Sequence, residues 1–143
     1  MAIRVVRLGS PRQEGEGIRI GTVRRPPRGV RKDRYAAENW YDVWLPNLAP
    51  SAALVTTGRA ADDDRAWKGF VRAYEREMAR PENARVLDTL AALSHRTNFS
   101  VGCYCENESR CHRSVLRRLL AIHGADLAPP VSPAEDKRGQ TRV

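Results

Sequence analysis

The chain begins with two short β-branched segments and returns to a third only after a long stretch of helical pattern. The first two are IRVVRL at 3–8 and IRIGTV at 18–23, and the third is NFSVGC at 98–103. Short runs of this kind, bounded by Gly, Pro or polar residues, are typical of strands. Strands at both ends of a helical middle predict an α/β fold. We expect a single compact domain with a small, mostly parallel sheet flanked by helices.

Three helices are predicted from apolar periodicity. The clearest covers 62–80, where acidic residues open the segment and apolar residues recur at spacings of three and four. Pro81 suits the first turn of a second helix, which ends near His95. The third covers 111–123 and is closed by Gly124.

Two shorter helices are expected earlier in the chain. Pro50 and Ser51 offer a helix start before an Ala-rich turn. We also expect a short helix over 33–44. It would carry three aromatic side chains toward the core: Trp40, Tyr41 and Trp44. The tryptophans of the chain, Trp67 included, are expected to be core residues rather than stacking platforms.

The size of the chain fits one domain. It has 143 residues, which as a prior is one domain of ordinary length. Residues from Pro129 onward lack an apolar pattern, so we expect 1–127 to form the domain and 128–143 a flexible tail. No apolar run reaches the roughly 20 residues of a membrane helix, and the N-terminus lacks a signal sequence. We therefore expect a soluble cytoplasmic protein without a membrane partner.

Positive charge is concentrated in the first quarter of the chain. Residues 1–35 hold ten Arg or Lys against three acidic residues, a net charge of +7 out of +8 for the whole chain. This bias favours anionic partners such as phosphates, nucleotides or nucleic acid. The alternative is an Arg-rich surface without a dedicated partner. Only three residues of the chain are lysines, so the many arginines are also explained by a general use of Arg in place of Lys.

All three cysteines fall in one segment, VGCYCENESRCHRS at 101–114. A cysteine cluster in a reducing compartment indicates thiol chemistry or a metal before it indicates a disulfide. A strand that ends at Cys103 and a helix that opens near Cys111 would aim free backbone N–H groups and a positive helix end at an anion. In that setting the pKa of Cys111 should fall, which makes it a candidate nucleophile with His112 as acid/base.

Two other interpretations of the cluster stay open. Cys103, Cys105, Cys111 and His112 are four ligands that zinc accepts. Their spacing argues against a closed site, since adjacent residues on a helix point about 100° apart. We therefore expect no cofactor and keep zinc as the alternative. The structural interpretation is that Cys103 is simply a buried core residue.

Three motifs make the chain similar to a known family. They are R-x-x-P-R-G-V at Arg24–Val30, W-L-x-x-L-A-P-S at Trp44–Ser51, and C-x-C-x5-C-H-R at Cys103–Arg113. Together they resemble the domain of unknown function 488 family, in particular its YeaO-like branch, over most of 3–124. The family's loop commonly reads D-R-L-W-P-R-G, and this chain has Val23 and Pro26 in place of the Asp and the Trp. The resemblance implies an α/β fold and a site built from the Arg-rich loop and the C-H-R segment, and it supplies no reaction.

These observations lead to one main hypothesis and two alternatives. The main one is a small α/β protein that binds a phosphate- or nucleotide-type small anion, with a Cys thiol available for catalysis. The residues expected to bind the anion are Arg24, Arg28, Gly29, Arg110, Arg113 and Ser114. The first alternative is a non-catalytic nucleic-acid-binding module that uses the basic N-terminal stretch. The second is a zinc-stabilised structural domain.

Overall fold

The computed structural model of the chain describes residues 1–106 and 108–130. Four strands form one sheet in the order β1-β4-β2-β3, and all three neighbouring pairs are parallel. The strands are β1 Ile3–Arg7, β2 Ile18–Gly21, β3 Val43–Trp44 and β4 Phe99–Cys103. The predicted α/β fold with a parallel sheet is confirmed.

Four α-helices accompany the sheet within the described residues. They are α1 Ala52–Ala60, α2 Asp64–Met78, α3 Pro81–Ser94 and α4 His112–Ile122. Local signals set their starts: the Ser51 side chain accepts from the Leu54 N–H, and the Asp63 side chain accepts from the Ala66 N–H. Gly124 follows α4 at φ +92°, the left-handed conformation that ends a helix. All four predicted positions are confirmed.

The helix predicted over 33–44 is wrong. The structure has a 3-10 turn at Lys32–Arg34 and the short strand β3 instead. Asn39 adopts φ +63°, which no helix tolerates. The Asp42 N–H then donates to the Arg19 carbonyl and draws the chain alongside β2. Helical spacing of aromatic residues therefore yielded to strand pairing.

The main core lies on one face of the sheet and takes residues from all four helices. The buried members from the strands are Ile3, Val5, Phe99 and Val101, which alternate with residues of the other face. The helices add nine further buried residues: Leu54, Phe70, Tyr74, Met78, Leu87, Leu90, Val115, Leu116 and Leu120. This burial is the main source of stability and holds the helices against the sheet.

The opposite face of the sheet is covered by loops. Tyr41 is buried, as predicted, and packs so closely on Gly21 that a Cβ there would lie 2.3 Å from its ring. Beside it, the buried Arg19 guanidinium forms an ion pair with Glu16 at 2.8 Å. The loops after β1 and β2 are therefore anchored by packing and by a satisfied charge pair rather than by helices.

The chain continues along the outer edge of β1 after α4. The Ala128 N–H donates to the Ile3 carbonyl, and Leu127 forms an isolated parallel bridge to Ile3. The greater part of the predicted tail, 131–143, lies outside the described residues. Within the part of the chain that the structure covers, every helix falls short of the length and apolarity needed to cross a membrane.

Candidate functional site

A cleft of about 1110 Å³ opens at the carboxyl edge of the sheet. Its walls are the segments that directly follow β1, β2 and β4, together with the start of α4 and parts of α1 and α2. Loops that leave parallel strands at this edge form the crevice in which α/β folds bind ligands. The Arg-rich loop and the cysteine segment, far apart in the sequence, meet here.

The cleft is lined by positive charge. Six arginines contribute to its wall: Arg7, Arg24, Arg25, Arg28, Arg59 and Arg110. None of the described lining residues is acidic. Such a surface has a positive potential and raises the local concentration of anions.

The arginines of the cleft differ in whether they already form an ion pair within the protein. Arg110 contacts Asp64 at 2.6 Å and lies 5.8 Å above the Trp67 ring. Arg7 is 3.5 Å from the exposed Glu106. Arg25, Arg28 and Arg59 are exposed and have no ion pair among the residues that the structure describes. These three are the cations most available to a ligand.

Arg24, expected to bind the anion, is held by the protein itself. Its guanidinium donates to the carbonyls of Pro46, Ala49 and Pro50 at 2.9–3.1 Å. These carbonyls precede α1, so Arg24 ties the loop after β2 to the start of that helix. Its side chain touches the cleft, but its donors point to the backbone.

The remaining predicted ligand residues divide between the cleft and other places. Arg28 and Arg110 line the cleft, whereas Gly29, Arg113 and Ser114 are not among its lining residues. The Ser114 hydroxyl donates to the Cys111 carbonyl at 2.9 Å. Gly29 adopts φ +75° with open space around it, as a turn residue does.

Aromatic side chains form part of the wall, which the sequence did not suggest. Trp40, Trp67 and Tyr104 line the cleft. The Trp40 and Tyr104 rings meet edge to face at 5.9 Å, and Trp67 stacks on Phe70 at 4.9 Å. The expected core placement of Trp40 and Trp67 thus needs correction, because each ring is half-buried with one side on the cleft.

Trp44 also departs from the expected core position. It is 43 % exposed, and its indole N–H donates to the Val23 carbonyl at 2.8 Å. It lies on the short edge strand β3, away from the large core. The indole therefore satisfies a backbone carbonyl in the loop after β2 rather than filling an apolar layer.

A cluster of thiols forms the floor of the cleft. The Sγ atoms of Cys103 and Cys111 are 2.7 Å apart, and both residues are buried, whereas Cys105 is exposed. Cys103 ends β4, and Cys111 directly precedes α4. Burial of Cys103 is what the structural interpretation of that residue predicted.

Cys111 is in extended rather than helical backbone, with φ −129° and ψ 154°. This conformation brings its Sγ to 3.7 Å from Nδ1 of the adjacent His112. The angle of about 100° expected if both neighbours lie on a helix does not apply, because Cys111 lies just before α4 rather than in it. The thiol of Cys111 and the imidazole of His112 therefore lie side by side.

His112 is fixed in one tautomer. Its Nε2 lies 2.8 Å from the Thr22 carbonyl oxygen, which only accepts, so Nε2 carries the proton. Burial lowers the pKa of His112 to about 4, and the hydrogen bond to Thr22 only partly offsets this. The ring is thus neutral at ordinary pH, and the lone pair of Nδ1 faces the thiols.

The pKa values of the three thiols shift in different directions. Hydrogen bonds from Cys103 and Cys111 hold the pKa of Cys105 well below its usual range. Cys103 lowers the pKa of Cys111, but the bond to Cys105 and burial outweigh it and raise that pKa to about 11. The expected fall in the pKa of Cys111 is therefore not found, and the thiol with the lowered pKa is the exposed Cys105.

A buried cation accompanies the cluster. Arg113 is 3 % exposed, and one of its Nη atoms donates to the Cys105 carbonyl. Its Nε has no hydrogen-bond partner among the described residues, and no carboxylate there forms an ion pair with it. A buried charge requires compensation, so the thiols are the groups placed to provide it.

Cys103, Cys111 and His112 form a group that could hold a metal ion. Their ligand atoms all lie within 4.8 Å of one another. Two sulfurs and one imidazole nitrogen match the ligand preference of zinc.

Comparison with known proteins agrees with this picture at the level of the family. No curated protein and no solved structure matches the chain. The family model DUF488-N3a, described as the active DUF488-N3 subclade, matches residues 3–124. The match spans the sheet, the helices and every motif that carries the resemblance. The chain therefore belongs to the DUF488 family, within its active DUF488-N3 subclade.

Proposed function

We propose that the cleft binds a small phosphate-bearing ligand of the nucleotide type. The observation that carries this proposal is the composition of the wall, with six arginines, aromatic rings and no acidic residue among the described lining residues. Phosphate oxygens accept from guanidinium groups in charge-assisted hydrogen bonds, and a planar base stacks on aromatic faces.

The three arginines without an ion pair among the described residues favour a phosphate ligand over a carboxylate, since a carboxylate can be bound by a single arginine. Arg25 and Arg28 come from the loop after β2, and Arg59 comes from the end of α1. A phosphate group offers several acceptor oxygens and can bridge donors from two elements. The volume of about 1110 Å³ slightly exceeds the usual range for small-ligand sites, roughly 300–1,000 Å³, so the cleft has room for a nucleotide.

We place this function in the cytoplasm. The three cysteines of the chain are free thiols, which is typical of a reducing compartment.

The direct test is calorimetric titration with the four ribonucleoside 5′-monophosphates, their nucleosides and inorganic phosphate. We expect at least one monophosphate to bind more tightly than its nucleoside and than phosphate alone, because its phosphate then contacts the arginines while its base stacks on the aromatic rings. Failure of the whole panel to bind at millimolar concentration would contradict the proposal.

Matched variants locate the ligand. Arg28→Gln and Arg59→Gln should each weaken binding by about 10- to 100-fold, since a hydrogen bond to a charged group contributes about 1.5–3 kcal/mol. Arg65→Gln is the control, because Arg65 is an exposed arginine outside the cleft wall. Equal effects of all three substitutions would mean that net charge rather than the cleft attracts the ligand.

Nucleic acid is the second candidate, favoured by the same arginines and rings. It is separated by titration with a single-stranded oligonucleotide at several salt concentrations. Affinity above that of the mononucleotides, with a steep fall as salt rises, would assign the cleft to a nucleic-acid strand instead.

A further inference from the structure

We propose that Cys103, Cys105, Cys111 and His112 bind one zinc ion at the floor of the cleft. Three observations support this proposal: the positions of the ligand atoms, the hydrogen bond on the far side of the His112 ring, and the buried charge of Arg113. The inference does not depend on the identity of the ligand proposed for the cleft.

Cys103, Cys111 and His112 are the fixed ligands. Around tetrahedral zinc, with bonds of about 2.3 Å to sulfur and 2.0–2.1 Å to nitrogen, ligand atoms lie roughly 3.5–3.8 Å apart. The 3.7 Å between Cys111 Sγ and His112 Nδ1 has this value. The two sulfurs, 2.7 Å apart, must separate by about 1 Å, and small side-chain rotations provide that distance.

The far side of the His112 ring is arranged as in a metal site. Histidine ligands usually donate their other ring N–H to a carbonyl or carboxylate, which fixes the tautomer and aims the lone pair at the metal. Here Nε2 donates to the Thr22 carbonyl at 2.8 Å, and Nδ1 faces the sulfurs. The Tyr74 ring meets the imidazole in a T-shaped contact, with the ring centroids 5.6 Å apart, and restricts its rotation.

The charge of Arg113 explains why a third thiolate is needed. Zinc with two thiolates and an imidazole is neutral, which leaves the buried guanidinium uncompensated. A third thiolate gives the site one negative charge, which Arg113 balances. Cys105 is the remaining cysteine, and its backbone carbonyl already accepts from Arg113.

Cys105 is accordingly the fourth ligand and the exchangeable one. All three cysteines line the cleft, but Cys105 is exposed, whereas Cys103 and Cys111 are buried. A ligand in the cleft thus approaches the metal from the side of Cys105. The other three ligands are held by β4, by α4 and by the loop after β2.

The first experiment measures metal directly in the whole protein, purified under reducing conditions and examined by native mass spectrometry. We expect one zinc per chain, with all three thiols protected from an alkylating reagent until a chelator is added. Cobalt substitution should give the sulfur-to-metal absorption and the intense visible bands of a tetrahedral thiolate site.

Variants identify the ligands without relying on a single fold-sensitive change. His112→Asn should reduce metal content to near zero at micromolar free zinc, while Cys105→Ser should keep zinc but bind it more weakly, because three of the four ligands remain. His123→Asn is the matched control, since His123 lies at the far end of α4 and pairs with Asp88. Circular dichroism of each variant shows whether it remains folded.

Three results would overturn the proposal. One is a reduced, folded wild-type protein that takes up no zinc in a titration. Another is fast alkylation of Cys105 that zinc does not slow, which would identify a free thiolate nucleophile. The third is loss of zinc in His123→Asn equal to that in His112→Asn. A zinc-containing protein that binds no nucleotide would refute the proposed ligand and leave the metal site standing.

Discussion

Nε2 of His112 donates a hydrogen bond to the carbonyl oxygen of Thr22 across 2.8 Å, although the two residues are 90 positions apart in the chain. Thr22 opens the arginine-rich loop after β2, and His112 is the first residue of α4. The bond therefore joins the cationic wall of the cleft to its thiol floor. A shift of either segment would be felt by the other.

Gly21 and Gly69 provide a matched pair of glycine substitutions. A Cβ at Gly21 would lie 2.3 Å from the Tyr41 ring, whereas a Cβ at Gly69 meets nothing within 4 Å. We expect Gly21→Ala to lower the free energy of unfolding by about 1–3 kcal/mol through overpacking. Gly69→Ala, inside α2, should raise it by about 0.5–1 kcal/mol. Urea denaturation of both variants measures these values, and a neutral Gly21→Ala would contradict the close packing of Tyr41.

Glu16→Gln should destabilise the protein strongly at neutral pH. The Glu16 carboxylate accepts two hydrogen bonds from Arg19 and one from Ser100, all at 2.7–3.0 Å in a buried setting. Removing its charge leaves the Arg19 guanidinium buried without an anion, a loss of about 3–5 kcal/mol. Glu14→Gln is the control, because Glu14 is exposed. Equal stability of the two variants would show that the pair contributes nothing.

The same carboxylate predicts how stability depends on pH. Burial acts to raise the pKa of Glu16, but hydrogen bonds from Arg19 and Ser100 outweigh it and lower that pKa below the usual 4.5. A lowered folded pKa means that the stabilisation is complete above pH 4.5 and is lost as the pH falls through the folded value. The difference in unfolding free energy between wild type and Glu16→Gln should therefore shrink in acid. A difference that stays constant down to about pH 3 would contradict this assignment.

Tyr74→Phe tests a hydrogen bond that supports the cleft from below. The buried Tyr74 hydroxyl donates to the Leu48 carbonyl at 2.6 Å, which ties α2 to the segment before α1. Leaving that carbonyl unsatisfied should lower the free energy of unfolding by about 1–3 kcal/mol. Tyr35→Phe serves for comparison, since Tyr35 is only half-buried. Thermal unfolding of the two variants at equal concentration would show the difference, and its absence would rule out this role for the hydroxyl.

Arg24 and Arg28 should separate a structural arginine from a ligand-binding one. Arg24→Gln removes donors to three backbone carbonyls, so we expect a loss of about 1.5–3 kcal/mol in unfolding free energy. Arg28→Gln should change stability by less than about 0.5 kcal/mol, because the side chain is exposed. Denaturation curves of the two variants give the comparison. A destabilised Arg28→Gln would mean that its effect on ligand binding is indirect.

Local patterns were sufficient for most of the secondary structure. The helix starts at Ser51 and Asp63 and the helix end at Gly124 depend on side chains and backbone conformations within a few residues. The aromatic segment 33–44 was misassigned because its conformation depends on pairing with β2, which is a long-range contact. Trp40 and Trp67 were wrongly expected in the core, because apolar character alone does not distinguish a core residue from one that lines a cleft.

The sequence by itself determined the α/β class, the parallel sheet, the family, and the two segments from which the cleft is built. The fold class could be predicted because periodicity, turn residues and capping act over short distances along the chain. The family was indicated by three motifs, and the two segments were what that resemblance implied. Only the tertiary structure decided that Arg24 donates to backbone carbonyls and that Arg113 is buried beside the thiols. It also decided that the side chains of Cys111 and His112 lie next to each other. Those relationships depend on strand order and on the conformation of one residue, Cys111, just before a helix. Contacts between segments about 90 residues apart are set by packing of the whole fold.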